Sequence, residues 1–232
     1  MPDKEFRWIP ALDCFDLEEA RRVVAAVAGH PFLYGFKVGF TLGLTHGLPR
    51  VVEMIRRHSE RPVIYDHQKA ATDIPEMGEA FSRTLRQAGI DEAILFPQAG
   101  PATLEAWIKA LRQASIKVIV GTLMTHPCFL QGEGGYLSDA FPEQVFRLAR
   151  AQGVEAFVVP LTKPALVERL LADHPIAPTA EFYSPGFGAQ GGDARAFPFV
   201  RRHYLIVGRS LLRAPDPAAW LDQAHHELAG RS

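Results

Sequence analysis

Short apolar stretches alternate with longer amphipathic stretches along the chain. The short stretches are apolar at nearly every position, which is typical of parallel strands that are buried on both faces. Eight strands are therefore predicted: Trp8–Leu12, Phe32–Val38, Val63–Tyr65, Ala93–Phe96, Val118–Leu123, Ala156–Pro160, Ala180–Tyr183 and Tyr204–Val207.

The amphipathic stretches predict helices between these strands. The first helix begins after Asp16, a suitable N-cap, and carries Glu18 and Glu19 in its first turn. Several others begin with a proline, which fits a helix start because its missing N–H costs little there. The predicted helices are Leu17–Val27, Leu48–His58, Pro75–Gln87, Ala102–Gln113, Pro142–Gln152, Pro164–Leu171, Asp193–Arg201 and Pro217–Leu228.

Eight strand–helix units in sequence predict an α/β fold with a parallel sheet, and eight such units close naturally into a (β/α)8 TIM barrel. A doubly wound open sheet is the alternative. No linker or low-complexity segment interrupts the pattern, and the length suits one barrel, so residues 1–232 are expected to form a single domain.

Composition narrows the class of protein. With 47% hydrophobic residues the chain can bury a full core, and a net charge of −1 argues against a general nucleic-acid or membrane binder. Cys14 and Cys128 form neither a disulfide framework nor a zinc pattern. The chain shows no secretory signal and no apolar stretch of membrane-spanning length, so we expect a cytoplasmic protein.

Two glycine-rich segments, 183–193 and 206–210, each follow a predicted strand in the last quarter of the chain. Glycines let backbone N–H groups approach an anion, and Gln190 and Arg209 can bond its oxygens. A helix beginning near Asp193 would direct its positive end to the same place. Loops seven and eight of a (β/α)8 barrel commonly hold a phosphate, so a phosphorylated substrate is predicted. Ordinary glycine turns are the alternative.

Polar residues stand where the barrel strands are predicted to end, which is where barrel enzymes place reacting groups. Lys37 lies between Phe36 and Val38, and burying it would be costly unless it is paired. Asp13 and Asp66 are its expected partners, in an active site or in a purely structural ion-pair network. The full set is Asp13, Lys37, Asp66, Lys69, Asp73, Thr125 and His126.

Six motifs then identify a family resemblance. They are Ala-Leu-Asp at 11–13, Lys-Val-Gly at 37–39, Asp-Ile-Pro at 73–75, Met-Thr-His-Pro at 124–127, Ser-Pro-Gly-Phe-Gly-Ala-Gln-Gly-Gly-Asp at 184–193 and Val-Gly-Arg-Ser at 207–210. In this order, from Ala11 to Ser210, the chain resembles the orotidine 5′-phosphate decarboxylases, most closely their short, archaeal-like branch. The resemblance implies a homodimer, without cofactor or metal, that converts orotidine 5′-monophosphate to uridine 5′-monophosphate and carbon dioxide in pyrimidine biosynthesis.

The resemblance also implies a catalytic array of Lys37, Asp66, Lys69 and Asp73, with Asp73 reaching the site of the neighbouring subunit. Loss of carbon dioxide leaves a carbanion at C6 of the pyrimidine, which a fixed cation can stabilise and then protonate. Lys69 is the implied proton donor, Asp66 would orient it beside the substrate carboxylate, and Lys37 would balance the charge.

Substrate-binding roles follow from the same resemblance. Asp13 would hold a ribose hydroxyl, Thr125 would contact the pyrimidine, and the residues of the glycine-rich segments would surround the phosphate and base. The implied set is Asp13, Lys37, Ile74, Thr125, Pro185, Gln190, Gly208 and Arg209.

The array departs from the family in its spacing. The family has Asp-x-Lys-x-x-Asp, whereas Asp66 and Lys69 here enclose two residues and Lys69 and Asp73 enclose three. Positions i and i+3 of a regular strand face opposite ways, so Lys69 can rejoin Asp66 only if the chain bulges or leaves strand geometry. Within the altered segment, His67 is either a new acid–base group or a solvated or structural residue. The role of Gln68 is left open.

Two other functions stay open. One is a related magnesium-dependent sugar-phosphate enzyme, of the keto-gulonate phosphate decarboxylase or hexulose phosphate synthase type, although residues 35–39 carry only Lys37 where an acidic ligand would be expected. The other is a non-catalytic relative that binds the nucleotide through Gln190 and Arg209 without turnover.

Overall fold

The strands of the predicted barrel are present in a computed structural model that describes residues 4–67, 72–188 and 191–230. Within these residues, eight parallel strands follow the order β1-β8-β7-β6-β5-β4-β3-β2. Bridges from Trp8 to Leu33 and from Ala11 to Lys37 join β1 to the segment of β2 and bring the ends of the sheet together. The strands are β1 Glu5–Pro10, β2 Phe36–Gly39, β3 Val63–Asp66, β4 Glu92–Leu95, β5 Lys117–Gly121, β6 Ala156–Val158, β7 Glu181–Pro185 and β8 Arg202–Val207.

Helices lie between the strands and cover the outside of the barrel. The first helix is capped as predicted, because the side chain of Asp16 accepts a hydrogen bond from the Glu18 amide. The helices are α1 Leu17–Val27, α2 Phe40–His46, α3 Leu48–Arg56, α4 Met77–Gln87, α5 Pro101–Gln113, α6 Phe141–Ala151, α7 Pro164–Asp173, α8 Arg209–Leu212 and α9 Pro217–Ala229, with short 3₁₀ turns at Gln131–Glu133 and Ala194–Ala196. None of the helices that the structure describes is long and apolar enough to traverse a bilayer.

The predicted helix Asp193–Arg201 is wrong. A single 3₁₀ turn over Ala194–Ala196 stands in its place, and Asp193 caps that turn by accepting from the Arg195 amide. Pro198 explains the difference, because a proline inside a helix removes a hydrogen bond and its preceding residue disfavours helical geometry. The helices α2 and α8 were not predicted, because each is short and directly follows a strand.

The barrel interior has two layers below its carboxyl end. An apolar layer of inward-facing strand residues includes Ile9, Ile64, Ile94, Ile119, Val158 and Ile206. Nearer the amino ends of the strands lies a polar layer, in which Glu92 accepts hydrogen bonds from Tyr34 at 2.5 Å and Tyr183 at 3.1 Å. Lys117 and Glu181 form an ion pair in the same layer. These layers fill the barrel interior below the carboxyl ends of the strands.

Candidate active site

A cavity of about 320 Å³ opens at the carboxyl ends of the strands. Its walls combine the ends of β2 and β3 with the loops that follow β1, β5, β7 and β8. The polar and loop residues predicted from the sequence that line it are Asp13, Lys37, Asp66, Thr125, His126, Pro185, Gly208 and Arg209.

Lys37 is the centre of the charged part of this cavity. Its Nζ lies 3.1 Å from Oδ1 and 3.2 Å from Oδ2 of Asp13, and 3.1 Å from Oδ2 of Asp66. Burial by itself lowers the pKa of the Lys37 ammonium, but the charges of Asp66 and Asp13 outweigh it and leave that pKa above its usual value. Lys37 therefore stays charged, and its ion pairs compensate its burial.

The backbone explains why these side chains meet. Asp13 follows β1 in a segment that is tied to β2, because the Leu12 amide donates to the Lys37 carbonyl at 2.9 Å. Asp66 is the last residue of β3 and pairs in register with Gly39. A Cβ at Gly39 would lie only 2.7 Å from Oδ1 of Asp13, so glycine is needed there for the Asp13 carboxylate to approach.

The residues on either side of Asp66 face away from the cavity. Tyr65 and His67 lie on the outer side of β3, where Oη of Tyr65 is 2.5 Å from Nδ1 of His67. Both line a separate groove beside α4 and α5, together with Phe81 and Trp107. Of the two possibilities for His67, the structure favours the structural one, because the cavity as described is lined without it.

Four predicted site residues are not among those that line the cavity as described: Lys69, Asp73, Ile74 and Gln190. Lys69 and Gln190 lie outside the described residues, so their assignments stay predictions. Asp73 lines the outer groove, and Ile74 is 58% exposed. Their carbonyls accept hydrogen bonds from Thr103 Oγ1 at 2.9 Å and Trp107 Nε1 at 3.2 Å.

Described residues of both glycine-rich segments, within 185–187 and 206–210, also line the cavity. Gly188 has a φ of 71°, in the left-handed region that favours glycine. A Cβ at this position would lie 3.5 Å from Oγ of Ser210, so the two glycine-rich segments are close together here. Phe187 anchors this loop, since its ring meets the Trp8 ring edge-on at 5.1 Å. Arg209 lies on the second segment and lines the cavity. A permanently charged guanidinium beside backbone turns suits an anionic group.

An apolar wall connects the charged side with the glycine-rich side. Its residues were not predicted, since uniformly apolar strands do not reveal which positions point inward. Phe96 shows the packing, because a Cβ on Gly121 would lie 2.2 Å from its ring. The wall consists of Ile94, Phe96, Leu123, Met124, Val158 and Ile206. A flat, largely apolar portion of a ligand would fit against this wall, between the charged residues and the glycine-rich segments.

Comparison with known proteins gives consistent matches. The model of the orotidine 5′-phosphate decarboxylase / HUMPS family matches residues 7–224. A protein named orotidine 5′-phosphate decarboxylase from Methanosarcina mazei is 32% identical over 209 residues, which is 90% of this chain and 89% of the relative. Another of that name, from Methanococcus maripaludis, is 32% identical over 210 residues, covering 89% and 90% of the two chains.

A solved structure agrees over nearly the whole barrel. It is the crystal structure of orotidine 5′-monophosphate decarboxylase from Methanocaldococcus jannaschii complexed with the inhibitor BMP. The TM-score is 0.81 and the identity 25%, with 96% of this chain and 98% of that chain covered.

Proposed function

Since this chain belongs to the orotidine 5′-phosphate decarboxylase / HUMPS family, we propose that it decarboxylates orotidine 5′-monophosphate to uridine 5′-monophosphate. The named relatives support a decarboxylase, a carbon–carbon lyase of pyrimidine biosynthesis. The enzyme would act in the cytoplasm, where nucleotide precursors are made.

One observation carries the proposal at the level of this chain. Lys37 lies buried between Asp13 and Asp66, and this charged group shares one cavity with the glycine-rich segments and Arg209. A nucleotide would place its phosphate at Arg209 and its ribose near Asp13. Its pyrimidine would then lie against the apolar wall, with the carboxylate of C6 near Asp66.

In the proposed reaction, the bond between C6 and the carboxylate breaks and its electron pair stays on C6. The ammonium of Lys69 stabilises this carbanion and transfers a proton to it, so carbon dioxide leaves and uridine 5′-monophosphate remains. Asp66 would orient Lys69 from the end of β3. Lys37 would fix Asp66 through the ion pair at 3.1 Å.

Binding energy at the phosphate would serve the same reaction. Arg209 offers a planar fork for two phosphate oxygens, and Gln190 would add a further donor. These contacts lie far from C6 and do not touch the bond that breaks. Their binding energy can still be used to orient the groups that react at C6.

The proposal includes a homodimer with shared sites. Asp73 does not line the cavity of its own chain as described, which suits a role in the neighbouring site. It is followed by two exposed apolar residues, Ile74 and Met77, which are 58% and 42% exposed. In the proposed dimer these two side chains would be covered by the partner subunit.

The test is a spectrophotometric assay with orotidine 5′-monophosphate in the presence and absence of a chelator. Turnover that is unaffected by chelator supports the proposal. Activity that chelator abolishes would favour the magnesium-dependent sugar-phosphate enzymes of the family. Tight binding of the nucleotide without turnover would favour a non-catalytic relative.

A further inference from the structure

The segment after β3 departs from the family spacing, and the structure shows how that segment begins. Asp66 turns its carboxylate to Lys37 inside the cavity, while its neighbours Tyr65 and His67 turn outward. Oη of Tyr65 and Nδ1 of His67 are 2.5 Å apart, and the two ring centroids are 5.7 Å apart. This hydrogen bond joins the two neighbours of Asp66 on the face of the strand opposite its carboxylate.

Tyr65 is itself held in place by packing. It is 5% exposed, and its ring packs 6.2 Å from Phe81, which in turn lies 4.7 Å from the Trp107 ring. Burial and then the nearby charge of Asp66 raise the pKa of Tyr65 to about 12, so its hydroxyl stays protonated. The protonated hydroxyl of Tyr65 is a hydrogen-bond donor 2.5 Å from Nδ1 of His67.

The other end of the segment is held as well. Thr103 and Trp107, both on α5, donate to the carbonyls of Asp73 and Ile74. The chain is thus fixed just after Asp66 and again at Asp73. Lys69 stands between these two points in the sequence, two residues after His67.

We propose that His67 is a positioning residue for the decarboxylation, acting with Tyr65 to fix Asp66 and the direction in which the chain leaves β3. The inference rests on the proposed function, because it concerns the groups that would serve Lys69. It assigns to His67 a role in holding Asp66, the residue from which the altered spacing to Lys69 begins. His67 does not transfer a proton to substrate.

The variants His67→Ala and Tyr65→Phe test this inference. Each removes the hydrogen bond, and a small displacement of reacting groups lowers kcat by about ten- to hundredfold. KM should stay unchanged, since Arg209 and the glycine-rich segments are untouched. Activity is expressed per site titrated with the inhibitor BMP, so that misfolded protein does not count as slow enzyme.

Two further comparisons separate positioning from a general structural role. His67→Asn offers an amide oxygen to the Tyr65 hydroxyl and should recover most of the lost kcat. The double variant should be no slower than either single variant, because both remove one hydrogen bond. His58→Ala and Tyr136→Phe are the matched controls, since both side chains are exposed, and they should keep full activity.

Several results would overturn the inference. A normal kcat per titrated site in His67→Ala would do so, as would losses that add in the double variant or an inactive His67→Asn. These outcomes differ from a failure of the proposed function, which would appear as an inactive wild-type protein and would remove this inference with it.

Discussion

Lys37→Met removes a cation that contacts both Asp13 and Asp66, and its effect on stability can be estimated from the structure. The side chain of Lys37 is 4% exposed, that of Asp66 13% and that of Asp13 39%. Methionine fills similar space with no charge. The variant therefore leaves one buried carboxylate and one partly solvated carboxylate close together without the ammonium between them.

The magnitude follows mainly from Asp66. Breaking a buried ion pair by removing one partner costs about 3–5 kcal/mol. Asp13 adds less, since solvent screens its carboxylate. We expect the free energy of unfolding to fall by about 3 kcal/mol, the lower end of that range, because only one of the two carboxylates is well buried.

Urea unfolding of the wild type and the variant measures this loss. Arg21→Met is the matched control, because it removes the exposed ion pair with Glu18, for which about 0–1 kcal/mol is expected. Adding Asp66→Asn to Lys37→Met should restore much of the stability, since the repulsion between the carboxylates of Asp13 and Asp66 is then absent. A loss no larger than that of the control, or no recovery in the double variant, would refute the reasoning.

The stability difference between the wild type and Lys37→Met should also depend on pH in a predictable direction. The folded pKa of Lys37 lies above its unfolded value, so the stabilisation is fully present below the unfolded pKa of about 10.4 and is lost as the pH rises through the folded pKa. The difference between wild type and Lys37→Met should therefore shrink at alkaline pH. A difference that grows there would contradict the ion-pair account.

Three further predictions concern other parts of the molecule. Arg209→Ala should lower kcat/KM on orotidine 5′-monophosphate, with a loss of transition-state stabilisation of about 2–5 kcal/mol, and should lower it much less on orotidine. Steady-state kinetics on both substrates would show this, and equal losses would mean a structural role for Arg209. Mixing inactive Asp73→Ala with inactive Lys69→Ala should restore activity through hybrid sites, and no restoration after proven subunit exchange would argue against shared sites. Burial raises the pKa of Glu92, so the wild type should lose stability as the pH rises from the unfolded pKa of about 4.3 through the folded pKa. Glu92→Gln should lack this loss when unfolding is measured against pH. A variant whose stability falls in parallel with that of the wild type would show that another group titrates.

The barrel could be predicted from the sequence because strands buried on both faces are apolar throughout and alternate regularly with amphipathic helices. The helix Leu17–Val27 was predicted with its observed bounds, since Asp16 caps it. The sequence misled over Asp193–Arg201, where an apparent N-cap suggested a helix that Pro198 prevents. Short helices such as α8 carry too few residues to show a period.

The candidate site was predictable to the extent that strand ends mark it. Lys37 had to be paired because its neighbours are apolar, and the structure pairs it with the two expected aspartates. His67 shares the outer side of β3 with Tyr65, as strand alternation leads one to expect once Asp66 faces the cavity, but its hydrogen bond with Tyr65 could not be predicted. The apolar wall around Phe96 was hidden by strands that are apolar on both faces.

Release of carbon dioxide from orotidine 5′-monophosphate tests the central claim most directly, with the purified wild type and Lys69→Ala compared at equal numbers of BMP-titrated sites. We predict that the wild type releases one carbon dioxide for each uridine 5′-monophosphate formed, without added metal, and that Lys69→Ala binds BMP but releases none. A wild type that releases no carbon dioxide, or a Lys69→Ala variant that releases it at the wild-type rate, would contradict the proposed decarboxylase and its proton donor.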